Sequence, residues 1–326
     1  MSSLSGGNPI SEQYDLLSEV GAGAYGRVIK ARDKATGEIV AIKEIKPEFK
    51  REGVPISVMR EVRILRKFHH ENIVSLKKVV RSDDTYYLVL EYCDHDMSRI
   101  IGNGLPASQV KSLFVQLLLS LQLIHSSRFV HRDIKPSNVL VTADYRVKLA
   151  DFGLTRVCDG QPIEEPAVTL EYRAPELLMG SKFYGTEIDV WSAGCVLYEM
   201  ITGRALFYAE DPEHMLEVIS NVYRVKLDSD IDDSTSHLES YLTEKIHGEL
   251  QSAIPLLVAM LQLNPTKRIT IPQALEHPFF SGADSLPAPG VAIPEVSRIF
   301  VPRELPLMVP QVRVPLRVVP AEPFSV

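Results

Sequence analysis

The 326-residue chain holds only three cysteines and one tryptophan. Cys93, Cys158 and Cys195 match no metal-binding spacing and leave an odd thiol over. That argues against a disulfide framework or a zinc module. A reducing, intracellular setting is expected, nucleus and/or cytoplasm. Positive charge is also in short supply. The chain carries 35 basic and 42 acidic residues, a net charge of −7. No nucleic-acid or membrane partner is expected from that balance. The opening MSSLSGGNPI lacks the charged start and apolar run of a signal peptide. No stretch reads as long and apolar enough to cross a bilayer, and no internal repeat is seen. What is there is ordinary for a globular protein, 45% hydrophobic and 24% charged, in a length that suits two lobes rather than one small core.

The texture changes along the chain. Residues 1–13, rich in Ser, Gly and Pro, read as a mobile lead-in. From Tyr14 to about Leu90 the pattern is strand-like. Tyr14–Val20 runs into a glycine cluster, followed by Val28–Arg32, a turn-prone Asp33–Gly37, Ile39–Ile45 and, later, Tyr86–Tyr92. One helix interrupts them, from about Pro55 to Phe68. Val58, Val62 and Leu65 recur there at helical spacing, and proline suits a first helical position. Beyond lie apolar helices from Ser108 to about His125 and from Trp191 to Ile201. The expected fold is α+β and two-lobed. A small β-rich N-lobe (14–92) carries one regulatory helix, a larger α-helical C-lobe (93–280) follows, and ligands sit between them. Residues 281–326 hold nine of the 22 prolines, which forbid a long helix. They leave a floppy tail or an extended segment docked on a lobe or partner.

The chemistry concentrates in His131–Asn138 (HRDIKPSN) and Asp151–Gly153 (DFG). Asp133 is a carboxylate able to take a hydroxyl proton. Lys135 is a cation able to neutralise a transferred phosphoryl group. Asn138 and Asp151 are hard oxygen donors suited to Mg²⁺. Gly21-Ala22-Gly23-Ala24-Tyr25-Gly26 is a GxGxxG loop, but a strand follows it, so it tips a hairpin rather than opening a helix. Its glycines let backbone N–H groups approach phosphates. Lys43, on the next strand, suits phosphate binding, with Glu61 on the first helix to aim it. Taken singly, these would be a hairpin tip, a surface lysine, an exposed carboxylate and turn residues. Taken together, they form the set needed to move a phosphoryl group from ATP to an alcohol. Glu176 and Arg268 are candidates for a structural ion pair. Asp189 would accept backbone hydrogen bonds from the 131–138 loop or cap the helix after it.

On these motifs residues 14–280 resemble a eukaryotic protein kinase domain, and within that class the cyclin-dependent kinases. Glu52–Glu61 (EGVPISVMRE) is similar to that family's cyclin-binding helix, and Val168–Glu176 and Gly203–Phe207 match as well. The resemblance implies ATP and Mg²⁺ as cofactors, a cyclin-like partner docked on residues 52–61, and protein substrates with Ser/Thr-Pro sites. It implies that Val20, Val28, Ala41 and Leu140 line the nucleotide site. Glu91 and Cys93 would offer backbone atoms to adenine, Asp96 would reach the ribose, and Leu90 would be the gatekeeper. Thr169 joins the catalytic set, and Lys135 implies serine/threonine specificity. Arg173 with Val168 resembles the family's device for proline after the target.

The departures concern regulation. Glu164, beside Glu165, stands where relatives carry a phosphorylatable threonine, while the arginines that clasp the phosphate, Arg60, Arg132 and Arg156, are kept. The sharper reading is that Glu164 or Glu165 partly replaces the phosphate; the plainer one is an exposed acidic loop. Ala24 removes one inhibitory site of the glycine loop, whereas Tyr25 keeps the other or simply packs beneath it. Glu171 replaces a tryptophan beside the substrate groove, which favours basic residues near the target. The alternatives to a cyclin-dependent enzyme are a kinase activated by its own tail and a pseudokinase scaffold.

Overall fold

The computed structural model describes residues 9–23, 26–45, 56–82, 85–163, 169–225, 227 and 235–281. The expectations for Ala24, Tyr25, residues 52–55, Glu164, Glu165, Val168 and the tail beyond residue 281 lie outside the described residues.

Five antiparallel strands build the upper lobe: β1 (Tyr14–Gly23), β2 (Gly26–Asp33), β3 (Ile39–Ile45), β4 (Leu76–Ser82) and β5 (Thr85–Glu91), in the order β1-β2-β3-β5-β4. Side chains alternate across a strand, and this sheet uses both faces. Val40 and Ile42 of β3 and Tyr87 and Val89 of β5 share one small core with Tyr14, Ala31 and Val80. The residues between them, Ala41 and Lys43, and Leu88 and Leu90, turn the other way, and Leu88 and Leu90 join the main core. The outer core is closed by α1 (Pro9–Gln13), which buries Ile10 to 1% exposure. Residues 9–13 are therefore ordered structure and not a mobile lead-in. Lys34 Nζ holds the Ser11 carbonyl at 2.6 Å, and Lys78 Nζ holds Gln13 Oε1 at 2.6 Å.

Helix α2 (Ile56–Lys67) lies against the inner face. Val58, Glu61, Ile64 and Leu65 are buried, while Ile56 and Met59 are 67% and 59% exposed. It also packs on the 3-10 turn Phe152–Leu154, where a Cβ on Gly153 would come within 3.6 Å of Ser57 Cβ.

The lower lobe is helical, with α3 (Met97–Ile100), α4 (Ala107–Ser126), α5 (Pro175–Leu178), α6 (Glu187–Thr202), α7 (Pro212–Tyr223), α8 (Ser236–Lys245), α9 (Ile254–Met260) and α10 (Ile271–Leu275). Short strands β6 (His95–Asp96), β7 (Phe129–Val130), β8 (Val139–Val141), β9 (Val147–Leu149) and β10 (Arg156–Val157) line its upper rim. Helix α4 corrects one expectation. Its 20 residues, at mean hydropathy 1.3, are long and apolar enough to cross a membrane by length and composition. Burial gives another account of that composition: Leu113, Phe114, Leu117, Leu118, Leu121 and Ile124 are fully enclosed in the lobe's core. Helix α6 is the axis of this lobe, buried continuously from Ile188 to Ile201.

Candidate functional site

The glycine loop joins β1 to β2, with Gly23 paired to Gly26. The hairpin expectation thus holds. Gly26 has φ +151°, and a Cβ there would lie 1.9 Å from the Glu44 carbonyl. Close packing of β2 on β3 demands this glycine, whatever the loop binds. Arg27 is tied across those strands to the buried Glu44.

Lys43 sits on the inner face of β3. Its Nζ lies 2.8 and 3.0 Å from the Glu61 carboxylate and 3.4 Å from Asp151 Oδ1. Burial disfavours the charge of Lys43, but Glu61 and then Asp151 outweigh it and raise its pKa above the ordinary lysine value. Burial would likewise raise Asp151, yet Lys43 prevails and holds it below the usual carboxylate range. Strand alternation delivers the lysine and helical periodicity the glutamate, so their meeting depends on α2 keeping its seat.

The loop from His131 to Asn138 is fixed from beneath. Asp189, buried in the first turn of α6, accepts from His131 N at 2.8 Å and Arg132 N at 2.9 Å, and its Oδ2 lies 2.8 Å from His125 Nε2. The cap of α6 is Thr186, so the loop-anchoring reading of Asp189 is the one observed. Arg132 adopts a left-handed φ of +73° and Asp151 one of +61°, conformations that cost non-glycine residues of order 1–3 kcal/mol and persist only when surroundings over-determine them. Asn138 then clamps Asp133, its Nδ2 donating at 2.8 Å to both the backbone carbonyl and Oδ2. Lys135 Nζ lies 2.9 Å from Asp133 Oδ2 and donates at 2.9 Å to Thr169 Oγ1. Thr169 Oγ1 reaches Asp133 Oδ1 at 3.2 Å. Ala150 N donates to the Asn138 carbonyl at 3.0 Å, which ties the Asp133 cluster to the segment carrying Asp151.

Val20, Val28, Ala41 and Leu140 are half-buried, with Leu90 buried behind Ala41 across β3–β5. Glu91 spends its N–H on the Ser75 carbonyl at 2.9 Å. Cys93 makes no hydrogen bond among the described residues. Burial, and then Glu91, push its thiol up to about 12, so it stays protonated at neutral pH. The Asp96 carboxylate already caps α3, accepting from Arg99 N at 3.2 Å and pairing with Arg99 Nε at 3.1 Å.

Three contacts have no counterpart in the sequence reading. Arg99 Nη2 donates to the Val20 carbonyl at 3.3 Å. Lys148 Nζ lies 2.8 Å from Glu91 Oε1. Lys30 Nζ sits 4.2 Å from the Tyr92 ring centroid. None leaves a local motif, because each joins elements far apart in the chain.

The donors fit Mg²⁺ and ATP. Asn138 commits its amide nitrogen to Asp133, which leaves its amide oxygen for a cation. Asp151 keeps 47% of its side chain exposed. One amide oxygen and one carboxylate are the sparse, hard donor set Mg²⁺ accepts alongside phosphate. Among the described residues no group of three or more His, Cys, Asp or Glu gathers as a transition metal would want.

Residues 14–280 match the protein kinase domain model. Cell division control protein 2 homolog 3 of Trypanosoma brucei brucei is 38% identical over 289 residues, 83% of this chain and 93% of that protein. Proteins named Cyclin-dependent kinase 12 from Drosophila melanogaster and Caenorhabditis elegans are 38% and 37% identical over 85% and 86% of this chain, which spans 26% and 42% of their lengths. With Lys43 joined to Asp151, Asn138 to Asp133, and the two segments tied through Ala150, the chain belongs to the protein kinase domain family, in its cyclin-dependent kinase branch, and is an ATP- and Mg²⁺-dependent serine/threonine protein kinase.

Proposed function

We propose that this kinase is proline-directed, is switched on by a cyclin-like subunit docking on α2, and uses Glu164 in place of an activating phosphate. The observation that carries the partner is the two-sided character of α2. Its inner face holds Glu61 against Lys43, while Ile56 and Met59 stand exposed on the same helix. A subunit covering those side chains seats the helix and thereby the ion pair.

Asp133 accepts the proton of the acceptor hydroxyl, and Asn138 and Lys135 fix its carboxylate for that task. Lys135 also balances negative charge as the phosphoryl group passes, and Lys43, aimed by Glu61, holds the nucleotide phosphates. Asn138 and Asp151 would hold Mg²⁺, which would supply neutralisation of phosphate charge. Arg173 favours proline after the target residue.

Support for Glu164 comes from the cations it would meet. Burial, and then Arg60 and Arg132, push Arg156 down to about 10. Arg60 and Arg132 each disfavour the charge of Arg156, and a carboxylate delivered beside it would offset that repulsion. The test is peptide phosphorylation by the full chain with and without candidate cyclins. Stimulation is expected without prior activation-loop phosphorylation, and Glu164→Ala with Glu165→Ala should lower activity severalfold. Unchanged activity in that double variant would remove the carboxylate from the mechanism.

A further inference from the structure

Thr169 touches both Asp133 and Lys135, so its hydroxyl marks where the acceptor hydroxyl arrives. The chain continues directly into a tight 3-10 turn, Leu170–Tyr172, closed by Tyr172 N on the Thr169 carbonyl at 3.1 Å and Arg173 N on the Leu170 carbonyl at 3.2 Å. That turn is bolted to α6. The Tyr172 hydroxyl donates to Glu199 Oε2 at 2.6 Å, and Ser192 Oγ donates to the Tyr172 carbonyl at 2.7 Å. Glu171, in the middle of the turn, therefore sits on a rigid platform beside the acceptor position.

The carboxylates around it are committed. Asp133 is held by Asn138 and Lys135, Asp151 by Lys43, Glu176 by Arg268, Asp189 by the loop it anchors and Glu199 by Tyr172. Glu171 is half-buried and has no hydrogen bond or ion pair among the described residues. Lys135, the cation beside Thr169, already belongs to Asp133. Helix α7 packs against the same turn. One rigidly held carboxylate is thus left unused.

We infer that Glu171 selects acceptor peptides with a basic residue within about two positions of the phosphorylated hydroxyl, since a 3-10 turn rises about 2 Å per residue and an extended peptide about 3.3 Å. The inference rests on the phosphotransferase reading of the cleft and adds its substrate class. Partial desolvation makes such a pair stronger than a fully exposed one, and a pre-placed carboxylate loses little freedom on binding.

The test uses the full chain with its activating subunit and a serine–proline peptide on an alanine background. A single arginine is moved stepwise along both flanks. The readout is the ratio of kcat/KM for each basic peptide over the neutral one, within each variant, so a uniform loss of activity does not imitate the effect. Wild type should favour arginine at a near position by about fivefold. Glu171→Gln should bring that ratio close to one, Glu171→Asp should keep part of it, and Glu171→Lys should shift preference toward acidic flanks. Transfer without basic preference, or preference kept in Glu171→Gln, overturns the role of Glu171 and leaves the kinase reading standing. Absence of transfer to every peptide overturns both.

Discussion

The two sides of the cleft hold their charges differently. Below, Arg268 meets Glu176 through two bonds, Nη1–Oε1 at 2.5 Å and Nη2–Oε2 at 2.7 Å, with both residues buried and the guanidinium over the Trp191 ring. Tyr172 is likewise fastened to α6, whose Asp189 in turn holds the His131–Asn138 loop. Above, the Lys43–Glu61 pair depends on one 12-residue helix whose other side carries exposed apolar residues. The acceptor half of the site is thus preassembled, whereas the nucleotide-aligning half is conditional. Under the proposed docking of a cyclin-like subunit on α2, regulation acts from the upper lobe without rebuilding the proton acceptor.

Substitutions can break or sharpen that contrast. Both halves are needed for chemistry, so Asp133→Asn should lower kcat by about 10²–10⁴-fold, and Lys43→Met should abolish measurable transfer; peptide phosphorylation under saturating ATP checks both. Arg268→Ala strands a buried Glu176 and should cost about 3–5 kcal/mol by urea denaturation. Neutralising Lys77, whose pair with Glu38 is exposed at 2.7 Å, should cost under about 1 kcal/mol.

The lower lobe should also carry an acid signature. Burial would raise the pKa of Asp189, but His125 first, then His131 and the Arg132 N–H, hold it below the ordinary aspartate value in the folded chain. A depressed folded pKa contributes stability above the unfolded value of about 3.9 and loses it as pH falls. Stability should therefore drop on acidification through that range, and Asp189→Asn should flatten the slope while lowering stability at neutral pH. The smallest effect on stability belongs to α2. Ile56→Ala with Met59→Ala should change unfolding free energy by less than about 0.5 kcal/mol, yet remove stimulation by the activating subunit. An equal loss of stability in the α2 and Arg268 variants would erase the contrast.

Legibility followed the range of the signal. Strand β3 spans the Ile39–Ile45 expected from alternation, and α2 falls within a residue of the expected helix ends. Lys43–Glu61, Glu176–Arg268 and the anchoring by Asp189 were legible through the likeness of their motifs to the kinase family, since the local sequence alone leaves each open to a surface or capping role. Strand β4 was hidden by Lys77, Lys78 and Arg81 and by a register shift between Leu76 and Lys78. Helix α1 is too short for any period to show. Arg99 on Val20 and Lys148 on Glu91 are products of tertiary packing and leave no local trace.

The Ile10 anchor has a practical consequence. A shortened protein starting at Tyr14, where the kinase match begins, would lose the lid over Val40, Ile42, Val80 and Val89 and bare a greasy patch on the back of the sheet. Such a patch invites self-association. Clumping of the trimmed enzyme would then be mistaken for lack of catalytic power.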